Sequence, residues 1–202
     1  MATAVAEMTP GKFRASNEMM TLEEFLALPE DDDTERMLIR GRLWERPLMT
    51  KRNRTHSRLT IRIGHLLELW LEKQPQPRGE IAGGEAGAII RRSPVATTVG
   101  IDVAYFGPDV TTNTDTGTSL YDGAPVLAVE ILSPHNTTEE MQSKVDEYLE
   151  CGSKLVWVVE PRRRTVTVYR PDAEPVMFNV RQTIDGESSL PGLSLPVAEM
   201  FQ

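Results

Sequence analysis

The chain has 202 residues, 40% of them hydrophobic and 26% charged, enough for one domain with a substantial core. Its net charge of −8 argues against wrapping of nucleic acid by the whole surface but allows a local basic patch. The single Cys151 excludes an internal disulfide framework and a cysteine-based zinc site, and no apolar run is long enough to span a bilayer.

Residues 1–18 read as a disordered leader and residues 19–202 as a single domain. The opening MATAVAEMTPGKFRAS lacks the basic segment and apolar core of a secretory signal, so the expected compartment is the cytoplasm. Thr21 then caps a short helix, LEEFLALPE, and Glu24 three residues on completes a capping box. Asp31, Asp32 and Asp33 make a solvated turn. TERMLIRGRLWERP reads as a hairpin turning at Arg40–Gly41.

KRNRTHSRLTIRIGHLLELWLEKQ is a long amphipathic helix whose buried stripe is Leu59, Ile63, Leu66, Leu67, Trp70 and Leu71. Its entrance is basic: Lys51, Arg52, Arg54, Arg58 and Arg62 have no acid among them. That is either a solvated helix face or a contact with a phosphate backbone, which needs such local density. His56 lies at this entrance within reach of a phosphate, and His65 is expected to be partly buried.

After Pro75-Gln76-Pro77 comes a glycine-interrupted strand pair, GEIAGGEAGAIIRR, with Gly83–Gly84 at a turn or bulge. TTVGIDVAYFGP is the next strand. Its alternation sets Val99, Ile101, Val103 and Tyr105 on one face, and Gly100, Asp102, Ala104 and Phe106 on the other. Asp109 to Gly123 reads as a loop. The apolar run from Val126 suits a strand buried on both faces, yet it contains Glu130, which is costly there unless paired, hydrogen-bonded or metal-bound. Beyond Ser133–Pro134 a helix buries Met141, Val145, Tyr148 and Leu149 and ends at Gly152. Lys144 falls at the margin of that stripe beside Tyr148. KLVWVVEP, RRRTVTVYRP and PVMFNV are further strands, and the tail LPGLSLPVAEMF is expected to close one edge of the sheet. The class is α/β in the mixed α+β sense, a central mixed sheet flanked by helices.

Two strands thus each carry an acid in an apolar context, Asp102 and Glu130, and Lys144 on the following helix can point into the same pocket. Two carboxylates brought together repel unless a cation lies between them. Oxygen ligation suits Mg²⁺ or Mn²⁺, and an adjacent Lys can steady charge developing on phosphorus. This set fits metal-assisted phosphodiester hydrolysis. It equally fits a structural Glu130–Lys144 ion pair with Asp102 capping a turn. No P-loop, nucleophile elbow or dinucleotide fingerprint is present.

MTLEEFLALPE, LIRGRLWE, the His56-containing helix start, GIDVAYF, VEILSPHN and KVDEYLECGSKLVWVVEPRRRTVTVYRP together resemble the bacterial Uma-two family of restriction-endonuclease type, within the PD-(D/E)xK nuclease superfamily. The resemblance runs from about Met20 onward. It implies a restriction-endonuclease-like fold with Asp102 as the metal-binding Asp and Glu130 as the second acid. Ile101 stands where the superfamily usually has Pro. Leu132 stands where the ExK lysine belongs, so the resemblance assigns that role to Lys144. The early hairpin has Met37 where the family usually carries Glu; Glu35, two residues earlier on the same strand face, is the candidate substitute. Glu85 matches a commonly acidic position and would support the site.

The implied function is Mg²⁺- or Mn²⁺-dependent cleavage of DNA. The catalytic residues would be Asp102, Glu130 and Lys144, the metal would lie on the two acids, and Lys51, Arg52, Arg54, His56 and Arg58 would bind the backbone. Two-strand cutting by a chain this small favours a homodimer. The rival readings are a nucleic-acid-binding or accessory protein that kept the fold without turnover, and a protein–protein module.

Overall fold

A computed structural model describes residues 13–29, 31, 33–47, 53–112, 117–133 and 137–202. In chain order its elements are β1 (Arg14–Met19), α1 (Leu22–Leu26), β2 (Thr34–Ile39), β3 (Arg42–Pro47), α2 (Arg54–Leu71), β4 (Glu80–Arg91), β5 (Thr97–Phe106) and α3 (Pro108–Thr111). There follow β6 (Tyr121–Asp122), β7 (Leu127–Ile131), α4 (Thr138–Glu150), β8 (Leu155–Glu160), β9 (Thr165–Arg170), β10 (Ala173–Asn179), β11 (Thr183–Asp185), β12 (Ser194–Pro196) and α5 (Val197–Met200).

The central mixed sheet runs β1-β3-β2-β5-β7-β8-β9-β10, with β4 on β5 and β6 on β4. β7–β8 and β4–β6 are parallel, and the other pairs are antiparallel. Alternation along β7 and β8 sends Leu127, Val129, Ile131, Leu155, Trp157 and Val159 to one core, together with the α2 stripe of Leu59, Ile63, Leu66, Leu67, Trp70 and Leu71. Ala128, Val156 and Val158 pack instead with Met141, Val145 and Tyr148 of α4. The central strands β7 and β8 are therefore buried on both faces, which is why they read as continuous apolar runs. Local chemistry matches: Thr21 and Thr137 both head capping boxes, closed by Glu24 and Glu140. Among the described residues no helix is long and apolar enough to cross a membrane.

Several segments differ from the sequence expectation. Residues 14–18, placed in the disordered leader, belong to β1, an edge strand on β3; residues 1–12 lie outside the described region. The glycine-interrupted pair is one long strand, β4, with a bulge. The stretch from Asp109 to Gly123 includes most of α3 and all of β6. The tail does not extend the central sheet. β11 and β12 form a separate two-stranded sheet, and Leu190, Leu193, Leu195, Val197 and Met200 cover the α2 core, with Trp70 Nε1 donating to the carbonyl of Pro191. His65 is exposed.

Candidate functional site

β4 occupies one edge of β5, from Glu80 opposite Phe106 to Arg91 opposite Thr97. The other edge is shared: β2 pairs only at Leu38 with Thr98, and β7 pairs from Tyr105 opposite Leu127 to Val103 opposite Val129. Between these partners the edge of β5 lacks a ladder, and Asp102 is the first residue of that fork. On the far side β4 bulges at the same level: Gly83 pairs Val103 and Ala86 pairs Ile101, so Gly84 and Glu85 together oppose Asp102. Both have positive φ, 79° and 67°. The glycine adopts this backbone without strain, and a bulge beside a functional group re-aims its side chains. The expected even alternation of β5 breaks here. Val99 and Ile101 join the α4 cluster, whereas Val103 and Tyr105 face α2.

Asp102 and Glu130 are buried, at 5% and 4% exposure. Ile131 N–H donates to Asp102 Oδ2 at 2.8 Å, so the side chain replaces the missing rung. His56 Nε2 lies 3.0 Å from Asp102 Oδ1, reaching it from the first turn of α2. Lys144 Nζ donates to Glu130 Oε1 at 2.8 Å and to the carbonyl of Gly100 at 3.2 Å. Tyr148, one turn further along α4, donates its hydroxyl to the same Oε1 at 2.6 Å. The two acids, Lys144 and His56 thus converge on the fork.

The electrostatics follow from burial and neighbours. Burial pushes the Glu130 carboxyl up to about 7; Lys144 pulls against this, and Asp102 adds to it. Burial also acts on Asp102, but the hydrogen bond and charge of His56, the Ile131 N–H and Lys144 together hold it below the usual carboxylate range. Burial works against the charge of Lys144, yet Glu130, Glu85 and Asp102 outweigh it and keep the ammonium protonated above its ordinary value. Lys144 and His56 thus face the carboxylates of Asp102, Glu130 and Glu85 in a low-dielectric pocket, where each charge strongly biases its neighbours.

The profile of the Uma2 family, described as "Putative restriction endonuclease", matches residues 22–198. The chain belongs to this family. Among solved structures, it is similar to a protein from Anabaena variabilis titled a putative nuclease belonging to DUF820. The likeness has a TM-score of 0.72 and 23% identity, and it covers 90% of this chain and 97% of that one. No curated protein matches.

In this Uma2 member the remaining candidates divide. Glu85 is in electrostatic reach of Lys144 and Tyr148, and its Oε2 fills the space beside Gly100, 2.8 Å from where a Cβ would stand. Glu35 does not join the cluster. It accepts from Arg46 Nε and Nη2 at 2.7 and 2.9 Å, a two-pronged ion pair within the β2–β3 hairpin, while Met37 is buried at 2% exposure. Arg54 and Arg58 are exposed on α2; Lys51 and Arg52 lie outside the described residues. Arg62 is tied to the carbonyl of Glu199. His56, grouped with the surface patch from sequence, sits inside the cluster on Asp102 instead.

Two polar groups at the site carry no sequence assignment as such. The hydroxyl of Tyr148 reads as part of an apolar stripe, although its spacing of four from Lys144 is the signal that both reach one partner. The other is the backbone carbonyl of Gly100, which no side-chain pattern can show.

Proposed function

We propose that this Uma2 member is a Mg²⁺- or Mn²⁺-dependent endonuclease that hydrolyses phosphodiester bonds in DNA, and that it works as a homodimer when both strands are cut. The carrying observation is the meeting of buried Asp102 and Glu130 at the fork beside β5, with Lys144 on Glu130. The donor set fits such an ion. Mg²⁺ uses one or two carboxylates and keeps several waters. Among the described residues no group of three or more His, Cys, Asp or Glu is arranged to hold a metal, so the proposed ion would take its protein ligands from the two carboxylates alone.

Asp102 and Glu130 would hold the ion. When bound, it acidifies a water and stabilises charge developing on phosphorus. Lys144, kept protonated by the surrounding acids, supplies fixed positive charge for the same developing charge. Asp102, kept ionised by His56 and Ile131, presents a permanent anion. Arg54 and Arg58 would contact the DNA backbone from the start of α2, together with Lys51 and Arg52. The test is cleavage of supercoiled plasmid and of single-stranded DNA by purified protein. Nicking should require Mg²⁺ or Mn²⁺, stop with chelator and vanish in Asp102→Ala; cutting that survives Asp102→Ala refutes the assignment.

One observation favours a second reading. Glu35 is committed to Arg46 and Met37 is apolar, so the hairpin supplies no acid in place of the family's usual Glu. A protein that binds nucleic acid without turnover would show salt-sensitive binding and no nicking in the same assay.

A further inference from the structure

Each of the two acids is held by a side chain from a different helix. Glu130 Oε1 takes both the Tyr148 hydroxyl at 2.6 Å and Lys144 Nζ at 2.8 Å. Asp102 takes His56 on Oδ1 and the Ile131 N–H on Oδ2. The ring of His56 is itself steadied by Thr60, whose Oγ1 lies 3.5 Å from Nδ1. That leaves Nε2 for the carboxylate.

Tyr148 is wholly buried, at 0% exposure. A phenylalanine would fill the same apolar space, and burying a hydroxyl is unfavourable unless it is bonded, so the role of this oxygen lies at Glu130. Neither substrate nor solvent reaches it, which makes it a positioning group and not a reacting one.

We infer that Tyr148 and His56 are positioning residues that lock the carboxylates of Glu130 and Asp102 into the rotamers a divalent cation needs, one from α4 and one from α2. The inference rests on the proposed metal-dependent reading. A carboxylate oxygen offers two lone pairs, so one hydrogen bond on each Asp102 oxygen fixes the group while sparing acceptor capacity. Both donors on Glu130 fall on one oxygen. Partners of this kind set metal affinity because a ligand that rotates freely must be ordered on binding.

The experiment is titration of Mn²⁺ into the full chain, following the free-ion signal by electron paramagnetic resonance. Wild type would be compared with Tyr148→Phe, His56→Leu and His56→Gln. Tyr148→Phe removes a single oxygen and keeps the packing; glutamine can still donate an N–H to Asp102, whereas leucine cannot. Tyr148→Phe and His56→Leu should each weaken Mn²⁺ binding by about 10–100-fold, with His56→Gln recovering most of the loss. Mn²⁺ affinity unchanged in Tyr148→Phe and His56→Leu overturns the inference and leaves the metal site standing. Wild type that takes up no Mn²⁺ overturns the metal reading and this inference with it.

Discussion

Ile131 donates its backbone N–H to Asp102 Oδ2 at 2.8 Å, just past the last rung joining β5 to β7, Val103 opposite Val129. A side chain thus does the work of a ladder partner where the sheet divides. Removing it strands a buried N–H, which costs about 1–3 kcal/mol. Asp102→Ala should lower stability by about 2 kcal/mol in urea unfolding. Asp102→Asn, which keeps an acceptor for Ile131, should lose clearly less. Equal losses would show that this hydrogen bond is not what Asp102 contributes to the fold.

Lys144 offsets the charge of the buried Glu130 carboxylate. Lys144→Met leaves the carboxylate buried without its cation, a change worth about 3 kcal/mol when the acid is ionised. Glu130 can escape by taking a proton, so the loss should shrink at pH 5 relative to pH 8. Denaturant melts of the variant at the two pH values check this; a loss independent of pH would contradict it.

The wild type carries a related pH dependence. The folded pKa of Glu130 is raised from the model-compound value of 4.5 to about 7, so the native state binds more protons than the unfolded state between those values. Its favourable contribution is complete below about pH 4.5 and is lost as pH rises through 7, on the order of 3 kcal/mol in all. Asp102 acts in the opposite sense: its lowered pKa gives stability above the unfolded value that disappears as pH falls through the folded one. In chelator, Tm should therefore peak near pH 5 and decline towards pH 8. Glu130→Gln should flatten the decline; an unchanged slope would assign it to another group.

On the proposed role of the α2 entrance, Arg54 and Arg58 each neutralise a phosphate. Changing both to Ala should reduce the slope of log binding constant against log salt by about 2 for duplex DNA, since each contact contributes about 0.9. Fluorescence anisotropy at several salt concentrations measures it, and an unaltered slope would place the DNA elsewhere.

The parts of this fold that obey a local period were legible in the sequence. The α2 stripe recurs at 3.6-residue spacing, and every one of its six expected residues is buried. Lys144, at the edge of the α4 stripe, reaches the strand acid as its position on the wheel implied. What stayed hidden depends on contacts between distant segments. β1 has no apolar alternation, and its strand form comes from pairing with β3. The Gly83–Gly84 signal fits either a turn or a bulge, and only the pairing with β5 settles it as a bulge. Glu147 is buried at 2% exposure with Arg40, Arg91 and Thr97, drawn from separate places in the chain, a grouping that no local pattern can show. His56 stood next to surface arginines in sequence, and nothing there distinguished the residue whose imidazole reaches Asp102.

The account turns on a divalent cation shared by Asp102 and Glu130, and calorimetric titration of Mn²⁺ into wild type and Glu130→Gln at pH 7.5 addresses it most directly. Wild type should bind one ion per chain, and Glu130→Gln should bind it at least about tenfold more weakly or not at all. Identical isotherms for the two proteins, or no heat of binding in wild type, would contradict the account.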